Sequence, residues 1–207
     1  MTKNLSTKNS LRRSTRITKT LADSARPGPT NSSANDNLPP PNKKLKKEES
    51  KIETLPISIG EILNSSLNFN LKDHSDESID HFDLFKDSKN GIVIFIYPKA
   101  NTPGCTQQAC GYKDLHQEIA NAGFEVFGLS MDSPKSLLNW KSKQNLPYTL
   151  LSDPKQQLIK LLGASKSSSS IQRSHFIFDK NRKLLHVTSH ASPKSSAKDA
   201  LDFIKSL

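Results

Sequence analysis

From Ile92 to Tyr97 the chain passes through an uninterrupted run of β-branched and aromatic residues. Such a run predicts a central strand buried on both faces. Strand-like and helix-like segments alternate around it. Before it, Asn68 to Leu71 reads as a short strand and Ser75 to Asp80 as a polar loop. After it, Ala109, Tyr112, Leu115, Ile119 and Ala122 recur at spacings of three and four, which makes one helical face within residues 103–121. Phe124 to Ser130 is the next strand. Ser133 and Pro134 mark a helix start, with serine as N-cap and proline at the first helical position, and that helix runs to Gln144. Tyr148 to Leu151 reads as a strand, and Lys155 to Leu162 as a short helix ended by Gly163. Residues 164–170, serine-rich, read as a loop. His175 to Asp179 and Lys183 to Thr188 alternate around the turn Lys180-Asn181-Arg182 and form a hairpin, and Ser195 to Leu207 closes the chain as a helix. The order predicts an α/β domain: a mixed central sheet, parallel in part with an antiparallel edge, flanked by helices.

Composition divides the chain at residue 56. Residues 1–56 hold 12 basic and 5 acidic residues, six of the twelve prolines and no aromatic residue. Residues 57–207 hold all the aromatics and nearly balanced charge. A segment so polar cannot offset the entropy of ordering it, so residues 1–56 are expected to be a disordered basic arm, and 57–207 one domain with one core. No apolar run approaches the roughly 20 residues a membrane-spanning helix needs, so no membrane role is expected. The N-terminus lacks the apolar stretch of a secretory signal. Two cysteines cannot build a disulfide scaffold, so Cys105 and Cys110 matter through chemistry if they matter at all.

Within the arm, Lys43, Lys44, Lys46 and Lys47 follow three prolines and precede Glu48 and Glu49. This is the composition of a nuclear localisation signal, which implies a nuclear import receptor as partner. The alternatives are a solvated linker, leaving the protein cytoplasmic, or a mitochondrial presequence. The latter draws on Arg12, Arg13 and Arg16 and on the lack of any acid before Asp23. Against it, Ile17 and Leu21 fall on the opposite side of a helix from Met1, Leu5 and Leu11. A rival function from another class is a chromatin or DNA-associated protein acting through the arm. Neutralising about five phosphates would give a log-log salt slope near −4.5. Without aromatics for stacking, such contact would be weak and sequence-blind.

The chemistry concentrates where the buried strand meets the long helix. Thr102 suits the N-cap and Pro103 the first helical position, which places Cys105 in the first turn. There the unpaired N–H groups and the positive end of the helix dipole stabilise a thiolate. Cys105 is therefore a candidate nucleophile. Cys110 lies five residues on, about 8.6 Å away between Cα atoms in an intact helix, whereas a disulfide wants roughly 4.4 to 6.8 Å. If the pair bridges, the first turns must unwind, and Gly104 and Gly111 make that cheaper. A metal site fails on ligand count and spacing, His116 being at most one neighbour of Cys110, and Trp140 reads as core. A general disulfide oxidoreductase is disfavoured because reversible dithiol exchange normally uses Cys-x-x-Cys.

The string Pro98-x-x-x-Thr102-x-x-Cys105, with Cys110 following, resembles the active site of a peroxiredoxin. The wider run from Tyr97 to Thr106 is similar to the bacterioferritin comigratory protein (PrxQ) subfamily, and the basic arm gives a layout similar to the fungal nuclear thiol peroxidases. The resemblance implies a thioredoxin-like fold over residues 57–207 and a thiol peroxidase that needs no cofactor. It would reduce hydrogen peroxide and alkyl hydroperoxides, be recycled by thioredoxin, and act as a monomer. It implies that Cys105 is the peroxidatic cysteine and Cys110 the resolving one, joined as a redox disulfide. Thr102 would bond the peroxide, Pro98 would shield the thiolate, and Arg173, just before a strand, would be the active-site arginine. Gln108 departs from the subfamily's frequent glutamate, and Tyr112-Lys113-Asp114 from its common Phe-Arg-Asp.

Overall fold

The computed structural model describes residues 56–64, 67 and 69–207. The expected disordered arm up to Leu55, with Lys43, Lys44, Lys46 and Lys47, lies outside the described residues, as does Asn68. Nine strands are described: β1 (Leu71–Asp73), β2 (Ser78–Ile79), β3 (Gly91–Ile96), β4 (Phe124–Ser130), β5 (Thr149–Ser152), β6 (Ser165–Ser167), β7 (Ser170–Ile171), β8 (Ser174–Asp179) and β9 (Leu184–Ser189). The helices are α1 (Pro103–Asp114), α2 (His116–Asn121), α3 (Pro134–Gln144), α4 (Gln157–Leu161) and α5 (Ser196–Lys205).

Seven strands form one sheet in the order β2-β1-β5-β4-β3-β8-β9. β3, β4 and β5 run parallel, and β8 joins β3 antiparallel. The run from Ile92 to Ile96 sits at the centre and is wholly buried. Its two faces serve two cores. Val93 and Phe95, with Tyr97 just beyond the strand, pack with Ala109 and Tyr112 of α1, Leu137 and Trp140 of α3, and Ala200 and Leu201 of α5. Ile92, Ile94 and Ile96 pack with Leu84, Leu158 of α4 and Phe178. A two-residue side-chain repeat on a strand covered from both sides produces this division. Phe95 stacks on Tyr112 at 4.4 Å between centroids, and its register partner on β4 is Gly128, where a Cβ would come within 2.8 Å of the Phe95 ring.

The expected mixed α/β sheet is present, with four differences in detail. The first strand lies at Leu71–Asp73, not Asn68 to Leu71, and pairs with β2 inside the expected polar loop. The Asp73 carboxylate builds the turn between them by accepting from the N–H groups of Ser75 (2.7 Å) and Glu77 (3.0 Å). The expected helix over 103–121 breaks at Leu115, whose backbone leaves the helical region at φ −97°, ψ 2°. No glycine or proline marks that position. Residues 164–170, expected as a loop, contain β6 and the start of β7. The buried Gln156 organises them: its amide accepts from Ser165 Oγ (2.6 Å) and donates to the Ser167 carbonyl (2.9 Å). That residue's left-handed backbone also delays α4 to Gln157. Elsewhere Ser133 caps α3, accepting from the Ser136 N–H at 3.4 Å, and the β8-β9 hairpin forms where alternation predicts it.

Candidate active site

β3 delivers the chain to the site. Its last residue, Ile96, pairs with Leu129 of β4 and with Ser174, the first residue of β8. The chain therefore leaves β3 into the 97–102 loop at the edge where Arg173 is about to enter β8. This register brings together two residues 68 apart in sequence.

The loop is held in place before α1 begins. Asp132, beyond the end of β4, accepts from the Ala100 N–H at 2.8 Å and from Ser130 Oγ at 2.9 Å. Asn101 takes a left-handed backbone (φ 58°), which asparagine tolerates better than most residues, and its side chain accepts from Lys143 Nζ at 3.3 Å. Thr102 occupies the N-cap and Pro103 the first helical position. The threonine hydroxyl does not cap the helix; it donates to the Lys99 carbonyl at 2.9 Å. The first intrahelical bond runs from the Thr106 N–H to the Thr102 carbonyl at 2.8 Å. The N–H groups of Gly104 and Cys105 come before it and have no intrahelical partner. Pro98 is exposed at the exit of β3.

Cys105 is 1% exposed, and Arg173 Nη2 donates to its Sγ at 3.4 Å. Arg173 Nη1 donates to Gln108 Oε1 at 2.6 Å. The guanidinium fork thus spans one turn of α1, holding the sulfur with one prong and the helix with the other. Gln108 is fully buried and donates onward to Ser196 Oγ at 3.1 Å. Two further bonds tether the helix start: Trp140 Nε1 donates to Thr106 Oγ1 (3.3 Å), and the Tyr148 hydroxyl donates to the Ala109 carbonyl (2.7 Å).

Cys110 faces elsewhere. Its thiol is half-buried and donates to Gln144 Oε1 on α3 at 3.9 Å, and Lys113 Nζ donates to the Gln144 carbonyl at 2.8 Å. Both thiols are free. The structure therefore brings Cys105, Arg173 and the N-cap Thr102 to one place and leaves Cys110 on another side of α1. The sequence singled out Gln108 only as a departure and Trp140 only as core. The contacts of Tyr148 and Ser196 had no sequence signal, because each depends on packing between distant elements.

His175, two residues past Arg173, is fully buried. Burial, reinforced by the neighbouring His186, lowers it to about 4. The unfolded chain binds this proton near pH 6.5 and the folded chain does not. The stabilisation is therefore complete above 6.5 and is lost as pH falls towards 4, by about 3 kcal/mol at most. Denaturant unfolding should show the parent losing stability between pH 7 and 4.5 more steeply than His175→Asn. Parallel pH dependences would contradict this.

The arrangement is a buried thiol at a helix start with a cation donating to the sulfur, which suits a nucleophile whose leaving group needs charge stabilisation. Comparison with known proteins gives the same direction. The sequence profile of the AhpC/TSA family matches residues 62–187. The chain is 45% identical over 139 residues to Peroxiredoxin bcp1 of Schizosaccharomyces pombe, covering 67% of this chain and 68% of that protein. It is 34% identical over 139 residues to Peroxiredoxin Bcp of Escherichia coli, covering 64% and 85% respectively. The crystal structure of peroxidoxin BcpB from Mycobacterium tuberculosis superposes with a TM-score of 0.66 at 28% identity, over 72% of this chain and 97% of that one.

Proposed function

Since this chain belongs to the AhpC/TSA family, as a thiol peroxidase of the Bcp/PrxQ peroxiredoxin type with a thioredoxin-like fold, we propose that Cys105 is its peroxidatic cysteine and Cys110 its resolving one. The observation that carries this reading is the Arg173 guanidinium 3.4 Å from a buried sulfur in the first turn of α1. The Cys105 thiolate attacks one peroxide oxygen. A sulfur–oxygen bond forms as the oxygen–oxygen bond breaks, and the departing oxygen takes a proton to leave as water or alcohol. The N–H groups of Gly104 and Cys105 and the Arg173 guanidinium supply donors for the peroxide and for the charge on the leaving oxygen, the Thr102 hydroxyl, whose hydrogen goes to the Lys99 carbonyl, accepts from the peroxide O–H, and Pro98 shields the thiolate from water. The Cys110 thiol then condenses with the sulfenic acid, releasing water and leaving a Cys105–Cys110 disulfide, which a thioredoxin dithiol reduces by exchange.

With both thiols on one helix and facing different neighbours, bridging requires α1 to unwind between them. That movement breaks the bonds from Trp140 to Thr106 and from Tyr148 to Ala109. The reading is tested by NADPH oxidation coupled through thioredoxin and its reductase, with hydrogen peroxide or an alkyl hydroperoxide as oxidant. The parent should turn over continuously. Cys110→Ser should complete one fast turnover and then stall as a sulfenic acid; sustained parent-like turnover in it would remove Cys110 from the cycle.

For the arm, Lys43, Lys44, Lys46 and Lys47 support import into the nucleus, where the enzyme would serve redox homeostasis. A fluorescent protein fused to residues 1–56 should enter nuclei and lose that ability when the four lysines become alanine. Mitochondrial signal, or unchanged nuclear signal in the alanine variant, refutes the address.

A further inference from the structure

Behind Arg173 a line of hydrogen bonds continues through the core. Arg173 donates to Gln108 Oε1 (2.6 Å), Gln108 Nε2 meets Ser196 Oγ (3.1 Å), and Ser196 Oγ meets His175 Nδ1 (3.1 Å). Gln108, Ser196 and His175 are each fully buried and come from α1, α5 and β8. We propose that Ser196 and His175 are positioning residues which, through Gln108, hold the Arg173 guanidinium in register with the Cys105 sulfur. The inference rests on the role given to Cys105 and Arg173 under the proposed function.

Which atoms can donate sets the direction of the first two bonds. A guanidinium only donates, so Gln108 must turn its oxygen towards Arg173, and its amide nitrogen must then donate to Ser196. The Ser196 hydroxyl has one hydrogen left to give. The Tyr112 hydroxyl, kept as a phenol by burial, lies 3.2 Å from both the Ser196 carbonyl and Ser196 Oγ. Burial keeps His175 neutral, and its Nδ1 shares a hydrogen bond with the Ser196 hydroxyl at 3.1 Å. Arg173 on one side and Ser196, itself held by His175 and Tyr112, on the other leave the Gln108 amide one orientation in place of two.

The other end of the imidazole supplies the second observation. Among the described residues His175 Nε2 is buried without a hydrogen-bond partner. Leaving a buried polar atom unpaired is costly, and such atoms in folded proteins call for an explanation. A phenylalanine would fill the same space beside the His186 ring, 5.8 Å away between centroids, without that cost. What the imidazole adds is the bond between Nδ1 and Ser196 Oγ.

Stopped-flow reaction of the fully reduced protein with hydrogen peroxide tests this, followed by the fluorescence of Trp140, the single tryptophan, which is bonded to the residue after Cys105. His175→Phe and Ser196→Ala should each lower the second-order constant about 5- to 20-fold, the scale of one lost hydrogen bond. Alkylation of Cys105 by iodoacetamide, in which iodide leaves without a proton or donors from the site, should change less than about two-fold. In His175→Asn, the side-chain amide replaces Nδ1 as the partner of Ser196 Oγ and should restore the peroxide constant to within about two-fold of the parent. If His175→Phe and Ser196→Ala react with peroxide as fast per folded molecule as the parent, and only their melting temperatures fall, the pair is structural and the proposal is wrong. Cys105→Ser is measured alongside: peroxide reduction surviving there would overturn the peroxidatic role itself, whatever the His175 variants do.

Discussion

Cys105→Ser is expected to lower peroxide reduction at least about a thousand-fold, to the background of free thiols. A serine hydroxyl at neutral pH is almost wholly protonated, and oxygen cannot form the sulfenic acid on which every later step depends. The substitution changes little else. The side chain is 1% exposed and keeps its size, and the Arg173 donor at 3.4 Å from the sulfur can be accepted by a hydroxyl. Circular dichroism and melting temperature should therefore stay close to the parent while the peroxide constant collapses. A folded Cys105→Ser protein retaining a tenth of parent activity would place the chemistry elsewhere.

The second large effect falls on Arg173. For thiols in general, thiolate population alone does not explain fast peroxide cleavage. Moving a pKa from about 8.5 to about 6 raises the thiolate fraction at pH 7 roughly 30-fold. The same change lowers intrinsic nucleophilicity roughly 13-fold for a Brønsted slope near 0.45. The remaining two-fold leaves most of the acceleration to positioning and to charge stabilisation on the departing oxygen. Arg173→Leu should accordingly lose about 10² to 10³ in the peroxide constant, the scale on which removing one donor to a developing oxyanion acts. Arg173→Lys keeps a charge but not the fork that reaches both Gln108 Oε1 and Cys105 Sγ, so it should recover only part of the loss. Stopped-flow peroxide reduction measured against iodoacetamide alkylation separates the two contributions. Equal losses in both reactions would mean that Arg173 acts only on the thiolate.

Much of this was legible in the sequence because it depends on local chemistry. The Ile92 to Tyr97 run could only be an interior strand, Ser133-Pro134 could only start a helix, and Thr102-Pro103 fixed the turn in which Cys105 lies. The peroxiredoxin resemblance carried the pairing of Arg173 with Cys105. Its physical basis is the register of Ile96 against Ser174, which a one-dimensional reading cannot supply. The short strands β2, β6 and β7 escaped notice and β1 was expected too early in the chain, because two or three residues cannot show an alternation, and polar side chains such as Asp73 and Gln156 organise them. The Thr102 hydroxyl bonds Lys99, not the helix, because the loop closes back on itself before α1 begins. Gln108 looked like a substitution at a family position. Only the packing of α1 against β8 and α5 shows its amide joining Arg173 to Ser196.

The central claim is that Cys105 and Cys110 work as one redox pair although they sit apart on an intact helix. The most direct test adds one equivalent of hydrogen peroxide to the fully reduced protein, blocks remaining thiols with an alkylating agent, and determines the mass of the tryptic peptide running from Ala100 to Lys113, which contains both cysteines. The account predicts an unalkylated peptide lighter by two hydrogen atoms, an internal disulfide, with no disulfide between chains. A peptide alkylated at Cys110 and carrying an oxidised Cys105, or a disulfide joining two chains, would contradict it.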